Sequence, residues 1–284
     1  VAEPLPTCHL NGALLPLAEA RVSPLDRGFL YADGVYEVIA AHGGRLRRLP
    51  SHLARLERSL GELAIANPHT RAQWQSLFEA LLAANAAGDV YIYLQVTRGA
   101  EYGRNHAPPP GLVPTVFAFC SPLPVDPPNL IEQGIACITQ PDIRWARCDI
   151  KSVALLANVL LRQRAADAGA AEAILLRDGY LTEASSAAVH VVVAGEIRTP
   201  PLGVRLLPGT TRGLVEEIAA AHGVAHRSIA VSEGELRAAD EIWISAATRG
   251  VLPVTQLDGL PVGSGRPGPL WHRMRAWIDA SRRA

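Results

Sequence analysis

The sequence predicts a two-domain α+β protein, with a smaller N-terminal α/β domain over residues 1–120 and a larger, β-rich C-terminal domain over 131–284. Three features predict it. Strand-like and helix-like segments alternate through the first part, and strand-like segments dominate the second. Between them lies Ser121-Pro122-Leu123-Pro124-Val125-Asp126-Pro127-Pro128-Asn129, with four prolines in nine residues. Proline lacks the amide that helices and central strands need, so 121–130 is expected to be an interdomain linker.

The elements follow in order. Residues 7–16 read as a hairpin turning at Asn11-Gly12. Residues 34–39 read as a strand that returns through His42-Gly43-Gly44 into 45–49. Two amphipathic helices are expected at 51–64 and 70–86, the first with Leu53, Leu56, Leu60 and Leu63 along one face. Tyr91–Thr97 and Val113–Cys120 read as strands. Beyond the linker, Gly134–Thr139 begins a strand, and a helix is expected at 152–167 with Val153, Leu156, Val159 and Leu160 aligned. Strands at 173–177, 180–184 and 188–193 turn at Asp178-Gly179 and Gly195. A helix from Thr211 to His222 stops at Gly223, strands follow at 241–246 and 251–256, and a last helix occupies 269–283. No internal repeat is visible.

Composition narrows the function. Basic and acidic residues number 27 each, so no charge excess recommends nucleic acid or an anionic membrane as partner. No apolar run reaches the roughly 20 residues that cross a bilayer. Val1–Asn11 carries no basic-then-apolar leader, so a secretory signal is not expected there. Cys8, Cys120, Cys137 and Cys148 form no CxxC pair and no metal-like spacing with histidine, which fits reduced thiols in the cytoplasm and no metal.

The 27 basic residues divide into 26 arginines and one lysine, Lys151. A coding bias that replaces lysine wherever a plain positive charge suffices leaves open why one survives. A primary amine can lose its proton and condense with a carbonyl, whereas guanidinium stays protonated. Chance survival of one lysine explains the count equally well, so its surroundings must decide. Cys148-Asp149-Ile150-Lys151-Ser152 precedes a helix, a rigid place for an amine. Glu183, in Leu181-Thr182-Glu183-Ala184-Ser185-Ser186, could pair with a pyridinium, although a solvated glutamate at a strand end is the simpler local reading. Leu207-Pro208-Gly209-Thr210-Thr211-Arg212 opens a helix whose free amides suit a phosphate, as many Thr-started helices do. Arg55 by itself looks like an exposed arginine on an amphipathic helix.

Taken together, these stretches resemble one family. Asp26-Arg27-Gly28-Phe29, Asp33–Val38, Tyr91–Gly99, Asp142–Ser152, Leu181–Ser186 and Pro208–Arg212 occur in the order found in the fold type IV (class IV) pyridoxal-phosphate-dependent aminotransferases. Within that family the chain is most similar to the D-amino acid transaminases, such as D-alanine aminotransferase. The resemblance spans about residues 9–257 and implies a two-domain fold with the cofactor, pyridoxal 5′-phosphate, between the domains. It implies that Lys151 carries the cofactor as a Schiff base and moves the α-proton, and that Glu183 faces the pyridine nitrogen. Arg55, Thr210, Thr211 and the Ala247 amide match the phosphate site, and Leu207 the residue packed on the ring. Tyr36, Arg104 and His106 match the trio that traps a substrate carboxylate. The loop with Arg104 and His106 is donated across the subunit interface in that family, so a homodimer is implied.

The implied reaction is ping-pong exchange of the amino group between D-amino acids such as D-alanine and 2-oxo acids such as 2-oxoglutarate. Branched-chain L-aminotransferases, (R)-amine transaminases and aminodeoxychorismate lyase share the fold and remain alternatives; the Arg104/His106 pair argues against the first and the third. Two departures stand out. Ala247 replaces the family's second phosphate-binding threonine, and Ala187 and Ala188 shorten a polar run. Both are expected to loosen cofactor binding, and neither removes a reacting group.

Overall fold

The computed structural model describes residues 3–283; Val1, Ala2 and Ala284, which the expected domain limits include, lie outside the described residues. The chain forms two compact units. The first runs to Pro124 and also takes in Ile150–Ala154; the second holds Val125–Asp149 and the chain from Leu155.

The described residues of the first unit form a six-stranded antiparallel sheet with three α-helices. β1 (Thr7–Leu10) and β2 (Ala13–Pro16) form the hairpin, and Asn11 and Gly12 take its positive φ angles. α1 (Arg27–Tyr31) is capped by Asp26, whose carboxylate accepts the Gly28 amide. β3 (Gly34–His42), β4 (Arg45–Leu46), α2 (Leu49–Glu62), α3 (Arg71–Ala84), β5 (Val90–Thr97) and β6 (Thr115–Pro122) follow. The sheet order is β2-β1-β6-β5-β3-β4. Leu53, Leu56 and Leu60 of α2 and Trp74, Phe78 and Leu81 of α3 share one core with Val35, Ile39, Ile92 and Leu94 of the sheet. Each such side chain contributes about 1.5–3 kcal/mol by leaving water. Gly28 is required by packing, because a Cβ there would stand 2.2 Å from Thr97 Cγ2.

The second unit is built on a nine-stranded mixed sheet. Its elements are α4 (Pro128–Gln133), β7 (Ile135–Pro141), α5 (Leu156–Asp167), β8 (Glu172–Arg177), β9 (Tyr180–Ala184), β10 (Ala188–Val193), β11 (Glu196–Thr199), α6 (Thr210–Ala221), β12 (His226–Ser228), α7 (Glu233–Arg237), β13 (Glu241–Ala246), β14 (Gly250–Leu257), β15 (Leu260–Pro261) and α8 (Pro269–Arg283). The order is β12-β11-β10-β13-β14-β7-β8-β9, with β15 on β14. The β7–β8, β7–β14 and β11–β12 pairs are parallel. α6 and α8 cover Val192, Ile197, Trp243 and Val251 with Val215, Ile218, Trp271 and Met274.

Three expectations are corrected. The proline-rich stretch is not wholly irregular: β6 continues through Pro122, which pairs with Val90, and Pro128 starts α4 at the first helical turn, where no amide is needed. The helix expected from Ser152 begins only at Leu156, and Ile150–Ala154 belongs to the first unit rather than the C-terminal one. The cause is strand-like pairing. β4 covers only Ala41 and His42 of β3, and the beginning of β3 bonds residues 151–153 instead. The Tyr36 amide donates to the Lys151 carbonyl at 2.9 Å, and the Val153 amide to the Gly34 carbonyl at 3.0 Å. Finally, the aligned Leu156, Val159 and Leu160 of α5 are exposed; its buried face carries Leu161 and Ala165 against Ala173 and Leu175.

Candidate active site

In the first unit the site is built around Lys151. Its carbonyl accepts the Tyr36 amide, its amide donates to Ser59 Oγ of α2 at 3.2 Å, and Ser152 bridges Val35. With the backbone held at both peptide groups, the side chain lies over Tyr36, Nζ 4.0 Å from the ring centroid. Tyr36 in turn stacks on Tyr93 at 5.8 Å. A lone lysine is thus fixed by a strand and a helix, as positioned amine chemistry requires.

Arg55 is not on a solvated face. It is buried, and Glu37 takes its Nε and one terminal nitrogen, each at 2.7 Å. His52 Nδ1 lies 2.7 Å from the same carboxylate. Burial alone would push the Glu37 carboxyl up, but Arg55 and His52 override it and bring it down to about 2. Burial pushes His52 down. Glu37 went unrecognised in the sequence, although a signal was present. It shares the inward face of β3 with Val35, Ile39 and Ala41, and an acid at such a position needs a buried partner.

Arg104 and His106 are exposed and gather on a different tyrosine. Arg104 Cζ stands 5.1 Å from the Tyr31 ring centroid, and the His106 ring 5.5 Å from it. Among the described residues, Tyr36 has no hydrogen bond or ring contact with either. A single chain therefore does not assemble the expected trio.

In the second unit Glu183 ends β9 and is buried, not solvated. Arg144 bonds it directly, and the Leu207 amide donates to it at 3.3–3.4 Å. Asp142 holds Arg144 from behind through two bonds of 2.8–2.9 Å, and Thr182 Oγ1 and Arg177 steady Asp142. Burial pushes the Glu183 carboxyl up, against the pull of Arg144 and the Leu207 amide. Arg144 was the residue missed here, although it lies within the stretch that carries the family resemblance.

Leu207 leads within three residues to α6, so one short segment links the carboxylate to a helix start. No side chain caps α6; its N-cap is Gly209, and Thr210 and Thr211 open its first turn. Such a helix start suits a phosphate. Ala247 follows β13 in the turn closed by the Ala246–Gly250 pair. Ser185 and Ser186 both direct their hydroxyls to buried Glu172, and Ala187 closes the turn by accepting the Ala184 amide at 2.8 Å. In the first unit the one lysine suits an aldehyde, and in the second the buried carboxylate and the helix start suit a pyridinium and a phosphate, the groups that pyridoxal phosphate carries.

The chain matches the family described as amino-transferase class IV over residues 34–257. It is 42% identical to a D-alanine aminotransferase of Bacillus licheniformis over 271 residues, 95% of each chain. A D-alanine aminotransferase of Staphylococcus epidermidis (strain ATCC 12228 / FDA PCI 1200) is 36% identical over the same share. Among solved structures, the branched-chain aminotransferase of the thermophilic archaeon Thermoproteus uzoniensis with norvaline superposes with a TM-score of 0.85 at 25% identity, covering 96% of this chain and 93% of that one. The fold IV transaminase CpuTA1 of Curtobacterium pusillum gives 0.81 at 26%, covering 94% and 92%.

Proposed function

This chain belongs to the class IV aminotransferases, and on that footing we propose that it transfers amino groups from D-amino acids to 2-oxo acids with pyridoxal phosphate as cofactor. The fixed placement of its only lysine carries the reading. When bound, the cofactor supplies an aldehyde that links to amines and a pyridinium ring that accepts the electron pair left at Cα. Lys151 would hold the cofactor through its amine, and that amine, when free, would move the proton at the substrate Cα. Glu183, its charge supported by Arg144, keeps the proton on the pyridine nitrogen. The α6 start with Thr210 and Thr211, the Ala247 amide and Arg55 would hold the phosphate, and Leu207 would pack on the ring.

Tyr36, Arg104 and His106 bind the substrate carboxylate, the latter two from a second subunit. The separation of Tyr36 from the other two in one chain supports this, and the exposed apolar row Leu156, Val159 and Leu160 fits a surface covered by a second copy. Four buried, unpaired cysteines suit the reducing cytoplasm.

Initial rates with D- and L-alanine, D- and L-glutamate, D- and L-leucine and (R)-1-phenylethylamine, each with 2-oxoglutarate or pyruvate as acceptor, test the assignment. Preference for the D-amino acids is expected; preference for L-leucine or for the amine would refute it. Borohydride reduction should fix one pyridoxyl group per chain, at Lys151.

A further inference from the structure

Asp26-Arg27-Gly28 is among the stretches that mark the family, yet none of its residues belongs to the site above. Arg27 is only 3% exposed. A guanidinium so buried is tolerated only when its donors are met. Nε donates to Asp33 at 2.8 Å, and Nη1 to Glu101 at 2.8 Å. Nη1 also reaches the Asn105 carbonyl at 2.7 Å, and Nη2 the His106 carbonyl at 3.0 Å. Apart from the neighbouring Ala107 amide, which donates to Asn105 Oδ1 at 3.2 Å, Arg27 makes the only hydrogen bonds among the described residues that reach 102–106 from outside the loop.

Two further contacts converge on the same place. The Arg27 guanidinium lies 4.5 Å from the centroid of Tyr31, the ring on which Arg104 and His106 gather. Glu101, bonded to Arg27, also accepts the Asn105 amide at 3.3 Å. The loop is therefore gripped at the residue after Arg104 and at His106 itself.

We propose that Arg27 is a positioning residue that sets where Arg104 and His106 stand, and through them the affinity for the substrate carboxylate. The inference rests on the carboxylate-clamp reading given above. A planar fork is needed because one group spans two carboxylates and two successive carbonyls; lysine keeps the charge but cannot span all four.

The test compares holoenzymes of wild type, Arg27→Lys, Arg104→Ala and the double variant, measuring KM and kcat for D-alanine together with cofactor content and melting temperature. Arg27→Lys should keep wild-type cofactor content, raise KM about 10-fold and change kcat less than about threefold, as loss of one charge-assisted bond predicts. Arg104→Ala should raise KM at least as much, and the double variant should show less than the product of the two increases, because part of the Arg27 effect acts through Arg104. If Arg104→Ala raises KM while Arg27→Lys leaves it unchanged, or if the two effects add in full, the positioning role is overturned and the clamp stands. If Arg104→Ala leaves KM unchanged, the clamp reading falls and this inference falls with it. Should Arg27→Lys fail to fold, Glu101→Gln, which loosens the same grip, must show the same rise in KM with little change in kcat; an unchanged KM there overturns the proposal.

Discussion

Glu37 and Arg55 form a two-pronged ion pair in the interior of the first unit, Nε to one carboxylate oxygen and a terminal nitrogen to the other, both at 2.7 Å. His52 shares the carboxylate. Removing the acid leaves a buried guanidinium without its counter-charge, so Glu37→Gln should lower stability by roughly 3–5 kcal/mol in urea unfolding at pH 7. The folded carboxyl titrates near 2 against an ordinary 4.5. The pair's contribution is therefore complete above the ordinary value and is lost as pH falls through about 2. The difference between wild type and variant should shrink over that window; a constant difference would show that the charge is not its source.

Arg144 supports the charge on Glu183. Arg144→Met removes the cation, so the carboxyl, already pushed up by burial, should hold its proton to higher pH. The acidic limb of the kcat profile should then move upward, and cofactor absorbance should show a pyridine nitrogen less readily protonated. An unshifted profile would mean that Asp142 and Arg144 are scaffolding alone.

His190 is a core histidine whose Nε2 meets Ser245 Oγ at 2.9 Å, while its buried Nδ1 has no hydrogen-bond partner among the described residues. Burial, with Arg212 and His226 adding to it, lowers its pKa from 6.5 to about 3. As pH falls below 6.5 the unfolded chain takes up this proton and the native one does not, so stability declines between about 6.5 and 3. The slope is at most about 1.4 kcal/mol per pH unit for one group. His190→Gln should flatten that stretch of the stability profile, which melting temperatures from pH 7 to 4 would show.

Mixing Lys151→Ala chains with Arg104→Ala chains tests donation of the loop across the interface. Each variant alone should be nearly inactive toward D-alanine. Heterodimers should regain up to about half of wild-type activity per dimer, since one of two sites is intact. Verified subunit exchange with no recovery would place Arg104 in the site of its own chain.

The residues proposed to do chemistry were more legible than the residues that touch them. Lys151 stood out because only its amine can do what arginine cannot, and Thr210 and Thr211 because a helix start has a recognisable local pattern. Arg55 and Glu183 read locally as solvated groups, yet both are buried, because their partners come from elsewhere in the chain. Arg144 and Glu183 lie 39 residues apart, and Arg27 and Glu101 lie 74 apart. No local period encodes such a pairing.

Sequence by itself determined the alternation of strands and helices and the family, since periodicity, turn residues and motif order are local. Tertiary structure decided the rest. It moved Ile150–Ala154 into the first unit, because the uncovered beginning of β3 offered backbone bonds that outweigh helix formation there. It turned Leu156, Val159 and Leu160 outward, because an apolar stripe specifies a face to be covered and not what covers it. It also paired the buried charges, because a charge without water must find its counter-charge wherever the fold brings one within reach.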